Sequence, residues 1–177
     1  MAFDMGSLLK QYSGGGTPDG NVDSHFDQVA QNAPPEMLSQ GLADAFRSDS
    51  TPPFGQMVGQ MFGGANPNQR AGMLSSLIAG LAPTVLASLA SGGGGSGLGG
   101  LLGRMMHGGA APTNVTPEQA SQVSPAEVEQ MAQHAEKQNP GIVDQMSGFY
   151  AQHPELVKGL GAAALAVVLG RMANRST

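Results

Sequence analysis

The stretch Thr51–Phe62 reads TPPFGQMVGQMF and places Phe54, Met57, Val58, Met61 and Phe62 at i, i+3, i+4, i+7 and i+8. That spacing gathers the apolar side chains on one side of a 3.6-residue helix, whereas a half-buried strand would alternate. Thr51 stands as the cap and proline follows it. Proline's φ is already close to the helical value, and the N–H it lacks would have no acceptor in a first turn. The stretch therefore predicts a helix that announces its own start.

The same grammar extends in both directions. Upstream, SHFDQVAQNA (24–33) offers Phe26, Val29 and Ala30 on one face, with Asp23 or Ser24 as cap, and PPEMLSQGLADAF (34–46) offers Met37, Leu38, Gly41, Leu42, Ala45 and Phe46. Downstream, Asn66-Pro67 opens a helix carrying Met73, Leu74, Leu77, Ile78 and Leu81; Pro83 breaks or kinks it, and Val85, Leu86 and Leu89 continue the apolar character. Thr116-Pro-Glu-Gln119 and Ser124-Pro-Ala-Glu127 are capping boxes, in which the side chains at each end satisfy the other's backbone N–H. The second box opens a helix with Val128, Met131, Ala132 and Ala135, ending before Asn139-Pro140. Ile142, Val143, Met146, Phe149 and Tyr150 mark the next, and ELVKGLGAAALAVVLGRMANR (155–175) reads as one final helix. No run alternates β-branched and polar residues, so the fold class is all-α, with roughly seven to nine short helices.

SGGGGSGLGGLLGR (91–104) divides this pattern. A phosphate-binding loop needs glycines followed by Lys-Ser or Lys-Thr after a strand, and neither is present. The match to GxGxxG at Gly95, Gly97 and Gly100 is what any glycine run produces. The simplest reading is a flexible connection, with Leu98, Leu101, Leu102, Met105 and Met106 adding a loosely held apolar turn. The chain is thus expected to comprise a flexible tail (1–20), a helical block (21–90), a glycine-rich linker (91–115) and a second helical block (116–175). Blocks of about 60 to 70 residues have marginal cores on their own, so they are expected to dock on each other or to oligomerise.

Composition narrows the function. Of 177 residues, 12% are charged and the net charge is −5, with 3 basic and 7 acidic residues up to Ala90 and 5 and 6 beyond it. No basic stripe is available to neutralise phosphates, which disfavours nucleic acid. Eleven methionines against no tryptophan imply adaptable packing surfaces. The chain has no cysteine, which removes disulfides, thiolate catalysis and Cys-ligated zinc. Asp4 stands where a signal peptide wants a base, and the expectation is a cytoplasmic protein.

Two segments keep a membrane-associated alternative open. Residues 71–103 contain no charge but include Pro83 and five hydroxyl residues before the glycines, and 156–172 holds a core, Gly159–Gly170, that is apolar around its whole circumference. In the latter, Lys158 and Arg171 bracket 12 residues, a length that suits a core helix better than a spanning one. Its Ala162, Ala166 and Gly170 form a small-xxx-small row that permits close approach of another helix.

Chemistry is sparse. His25, His107, His134 and His153 sit in no metal-ligand spacing. No nucleophile elbow is present. No catalytic residue, metal ligand, cofactor or small-molecule substrate is nominated. The expected interaction residues are Phe54, Met57, Met61 and Phe62 on one helix and Ala162, Ala166 and Gly170 on the last.

TPEQASQVSPAEVEQMAQHAEKQNPGIVDQM (116–146), preceded by GLGGLLGR (97–104), resembles small bacterial proteins of the YidB-like type, over about a third of the chain. The resemblance implies a helical bacterial cytoplasmic protein and brings no catalytic residues. The sequence reading is therefore a non-enzymatic interaction or scaffold protein that binds a protein partner or itself.

Overall fold

Proline starts helix after helix in this chain. The computed structural model describes residues 4–14, 21–92, 97–107 and 114–176, and all regular structure among them is helical. In chain order the helices are α1 (Met5–Lys10), α2 (Val22–Asn32), α3 (Pro35–Phe46), α4 (Phe54–Gly64), α5 (Pro67–Gly80) and α6 (Pro83–Gly92). They continue as α7 (Gly97–His107), α8 (Pro117–Ala120), α9 (Pro125–Gln138), α10 (Ile142–Gln152), α11 (Pro154–Val157), a 3-10 turn (Lys158–Leu160) and α12 (Ala162–Ser176).

Proline is the first residue of α3, α5, α6, α8, α9 and α11, and both predicted capping boxes form. At the second, Ser124 N donates to Glu127 Oε2 at 2.8 Å while Glu127 N donates to Ser124 Oγ at 3.3 Å. Asn66 and Gln69 make a third box of the same kind at the start of α5.

The described helices outnumber the sequence expectation, and each addition has a local cause. Met5–Lys10, within the expected tail, is helical because Asp4 caps it by accepting from Ser7 N at 3.2 Å. That bond, with a second from the Ser7 side chain, lowers the exposed Asp4 carboxyl below its ordinary value. Residues 97–107, within the expected linker, form α7 with Leu101 and Leu102 buried; the rest of its glycine core, 93–96, and 108–113 lie outside the described residues. The expected last helix is interrupted at Gly161, whose φ of +85° is a left-handed conformation that glycine adopts without a Cβ penalty. Pro83 ends one helix and begins the next.

The helices group into two compact units that do not follow the consecutive blocks of the sequence reading. One contains residues up to Pro53 together with those from Ser147 onward; the other is Phe54–Met146. The physical reason lies in α12. Its apolar stripe of Leu165, Val168, Leu169 and Met172 is fully buried against α1, α2 and α3, helices from the opposite end of the chain. In this unit Gly41 of α3 admits the Met172 side chain, and Arg175 grips Asp44 with Nε to Oδ2 at 2.6 Å and Nη2 to Oδ1 at 3.0 Å. Lys158 reaches Asp27 of α2 at 2.7 Å, a hydrogen bond that raises the lysine above its ordinary value. Tyr150 stands edge-on to Phe46, 5.9 Å between centroids.

The unit Phe54–Met146 is organised by α4, α5 and α9. Phe54, Met57, Val58, Met61 and Phe62 are each at most 1% exposed. Such side chains contribute about 1.5–3 kcal/mol apiece on burial. Along the same helix Gly55, Gly59 and Gly63 form a row that lies on Pro125, Glu129 and Gln133 of α9. A Cβ at Gly59 would stand 3.0 Å from the Pro125 carbonyl oxygen, so the two backbones approach as closely as glycine allows. Arg70 closes the end of α4, donating from Nε to Phe62 O and from Nη2 to Gly63 O at 3.0 Å each, with its guanidinium over the Phe62 ring. A cation donating to the terminal carbonyls satisfies groups the helix leaves orphaned and complements its dipole.

Candidate functional site

The seven residues singled out by sequence separate into the two units. Phe54, Met57, Met61 and Phe62 lie in the core around α4, so what they pack against is this chain itself. Ala162, Ala166 and Gly170 lie on α12: Ala162 is exposed, Ala166 and Gly170 are half-buried. Gly170 is partly occupied, since a Cβ there would stand 3.2 Å from the Tyr12 carbonyl oxygen. Gly55, Gly59 and Gly63, the row along which α4 meets α9, follow the same i, i+4 rule in the sequence, beside a bulkier stripe that obscures them.

The outward side of α12 borders a cavity of about 340 Å³. Heptad-like alternation explains it: Ala164, Leu165, Val168, Leu169, Met172 and Ala173 turn inward, which leaves Ala163, Ala166, Val167 and Gly170 as one wall of the cavity. Small residues make that wall, so the groove is a consequence of missing side-chain volume. Between Ala163 and Asn174 the lining extends about 16 Å along the helix axis, at 1.5 Å per residue.

The end of the cavity toward the C-terminus of α12 is polar. Ser48 and Ser50, from the turn after α3, meet Arg171 and Asn174. Arg171 Nη2 donates to Ser48 Oγ at 3.0 Å, and Ser50 N donates to the same oxygen at 3.2 Å. Thr51 fixes the turn by donating from Oγ1 to the carbonyls of Ala45 and Ser48, at 2.5 and 2.9 Å. Arg171 forms no ion pair with any described residue, in contrast to Lys158 and Arg175. Tyr12 and Ser13 border the cavity on a further side. Tyr12 is buried, its hydroxyl lies 2.7 Å from His25 Nδ1, and burial raises it above its ordinary value. Among the described residues, no His, Asp or Glu lines the cavity. Its polar lining, Ser48, Ser50, Arg171 and Asn174, offers hydrogen bonding and positive charge.

The histidines are dispersed: His25 pairs with Tyr12, His107 lies 2.7 Å from Gly103 O, His134 is exposed on α9, and His153 lies 3.4 Å from Glu155. Among the described residues, no group of three or more His, Asp or Glu is placed to hold a metal ion. No single helix among them is long and apolar enough to cross a membrane; α5 with Pro83–Ser91 meets that length and composition as a pair, bent by 119°.

Against family models, curated proteins and solved structures, the chain matches none.

Proposed function

We propose that this chain is a non-enzymatic helical interaction protein whose contact surface is the outward side of α12, and that it associates with itself through that side. The observation that carries the reading is the unequal use of the apolar positions. The Phe/Met stripe of α4 is covered within its own unit, while Ala162 and Ala163 are exposed and Ala166 and Val167 half-buried on α12. Small residues let a second helix come close, and close approach multiplies dispersion contacts. The surface is modest: a 15-residue helix presents about 22 Å by 10 Å, well below the roughly 800 Å² per partner of stable complexes. Association is accordingly expected to depend on concentration. Light scattering behind size exclusion, run over a hundredfold range of about 1–100 μM to bracket weak association, tests it. The expected mass rises from 17.9 kDa toward twice that value, 35.8 kDa, and Ala162→Glu, an exposed position where a first-turn acid suits the helix, holds it at monomer. A constant monomer mass with no recoverable partner refutes the reading.

The resemblance of residues 97–104 and 116–146 to YidB-like proteins supports placing this protein in a bacterial cytoplasm. A second reading, peripheral or inserted association with a membrane, draws on the bent pair α5–α6 and on the exposure of Ala82, Pro83, Thr84 and Ala87. Liposome flotation separates the two: protein that stays entirely in the soluble fraction removes the membrane reading.

A further inference from the structure

The geometry of the α12 cavity points to a binding site for a small single-chain carboxylate, with the carboxylate on Arg171 and Ser48 and the aliphatic part along Ala163, Ala166 and Val167. Three observations combine. Arg171 is a cation without an ion-pair partner among the described residues, in a chain of net charge −5 whose neighbouring bases, Lys158 and Arg175, are both paired. Guanidinium groups form their strongest hydrogen bonds with carboxylates, and Arg171 has spent one N–H on Ser48 Oγ. Ser48 Oγ already accepts twice, from Arg171 and from Ser50 N, so its own proton remains to be donated. An anion at this end therefore meets the guanidinium and the Ser48 hydroxyl together, with Ser50 also lining the cavity. The acid nearest in sequence, Asp49, does not line the cavity, and Asp44 is held by Arg175.

The opposite end is chemically different. Ala163, Ala166 and Val167 carry no polar side-chain atom, and the lining extends about 16 Å from there to Asn174. A volume of about 340 Å³ sits at the small end of ligand pockets, which span about 300–1,000 Å³. A ligand with one anionic head and one short alkyl chain matches the charge at one end, the apolarity at the other and the size. An organic cation meets Arg171 with like charge, and a neutral alcohol leaves the guanidinium without a counter-ion.

A second copy and the ligand would compete for this side of α12, so the inference concerns the monomer and is tested on the full chain at a concentration where it is monomeric. Titration with sodium octanoate, followed by calorimetry and by backbone amide shifts, is expected to show saturable binding at one site, with shifts at Ser48–Ser50 and Ala163–Asn174. Acetate, octylammonium and octanol are expected to bind at least about tenfold more weakly, the scale of one charge-assisted hydrogen bond or of the buried chain. Arg171→Gln, an exposed position whose loss leaves the core intact, is expected to lose about tenfold or more in affinity, and Arg171→Lys to recover part of it. Ala166→Phe blocks the chain end, so it weakens octanoate and leaves acetate unchanged. Absence of saturable octanoate binding overturns the proposal, as does equal affinity for octanol or an unaltered Arg171→Gln. Binding to phosphatidylglycerol vesicles without binding of free octanoate also overturns it, and assigns the surface to a bilayer.

Discussion

Replacing Gly55 by alanine tests whether α4 and α9 meet backbone to backbone. The added Cβ would stand 2.8 Å from the Glu129 carbonyl oxygen and 3.2 Å from Gln133 N, and it would collide with Gln133 Cγ. The last is a side-chain atom that can rotate away; the first two are backbone and cannot. Relief requires the helices to separate, which also loosens the contacts at Gly59. Overpacking of this kind costs about 1–3 kcal/mol, while alanine in place of glycine inside a helix returns about 1 kcal/mol. The net expectation is a loss of up to about 2 kcal/mol. Gly63→Ala is the internal control, because its Cβ would lie at an ordinary 3.6 Å from Pro125 Cγ; it should be neutral or stabilising by up to about 1 kcal/mol. Urea denaturation followed by far-ultraviolet circular dichroism measures both. A Gly55→Ala protein as stable as Gly63→Ala would refute the close approach.

Other substitutions probe other parts of the account. Tyr150 is fully buried and its hydroxyl has no hydrogen-bond partner among the described residues, so Tyr150→Phe should raise stability at neutral pH by about 1 kcal/mol, read from the urea midpoint. Burial holds that hydroxyl well above 10.0 in the folded state, so the native chain keeps a proton that the unfolded chain releases. Its contribution is intact below pH 10.0 and is lost as pH rises above that value, and the urea midpoint of Tyr150→Phe should fall less steeply there than that of the parent. Ser124→Ala removes one half of the α9 capping box and should lower the urea midpoint by the equivalent of about 1 kcal/mol. Gly103→Ala, with open space around its Cβ inside α7, should stabilise the protein by up to about 1 kcal/mol, whereas slack chain at this position would leave thermal stability unchanged.

Helix identity was legible wherever proline and a cap preceded an apolar period, as at Asn66-Pro67, Thr116-Pro117 and Ser124-Pro125. It was not legible at Met5–Lys10, where one capping aspartate and three buried residues, Leu8, Leu9 and Tyr12, are too short a pattern to register. Nor was it at Gly97–His107, whose glycines lower intrinsic helix propensity and whose Leu101 and Leu102 gain their burial from tertiary packing. The grouping of the last helix with the first three is non-local, and no short-range pattern encodes it. The candidate site was half legible. Ala162, Ala166 and Gly170 could be read as a row, but Ser48 and Arg171 lie 123 positions apart and are joined by the fold alone.

The central claim is that the α4 stripe faces inward while Ala162 and Ala163 at the start of α12 stand exposed, and thiol reactivity tests it most directly. The chain has no cysteine, so one introduced residue is its sole thiol. In native buffer, Ala162→Cys is expected to react with maleimide at the rate of an unfolded chain, and Met57→Cys to stay protected until denaturant is added. Equal, rapid labelling of Met57→Cys would contradict the account.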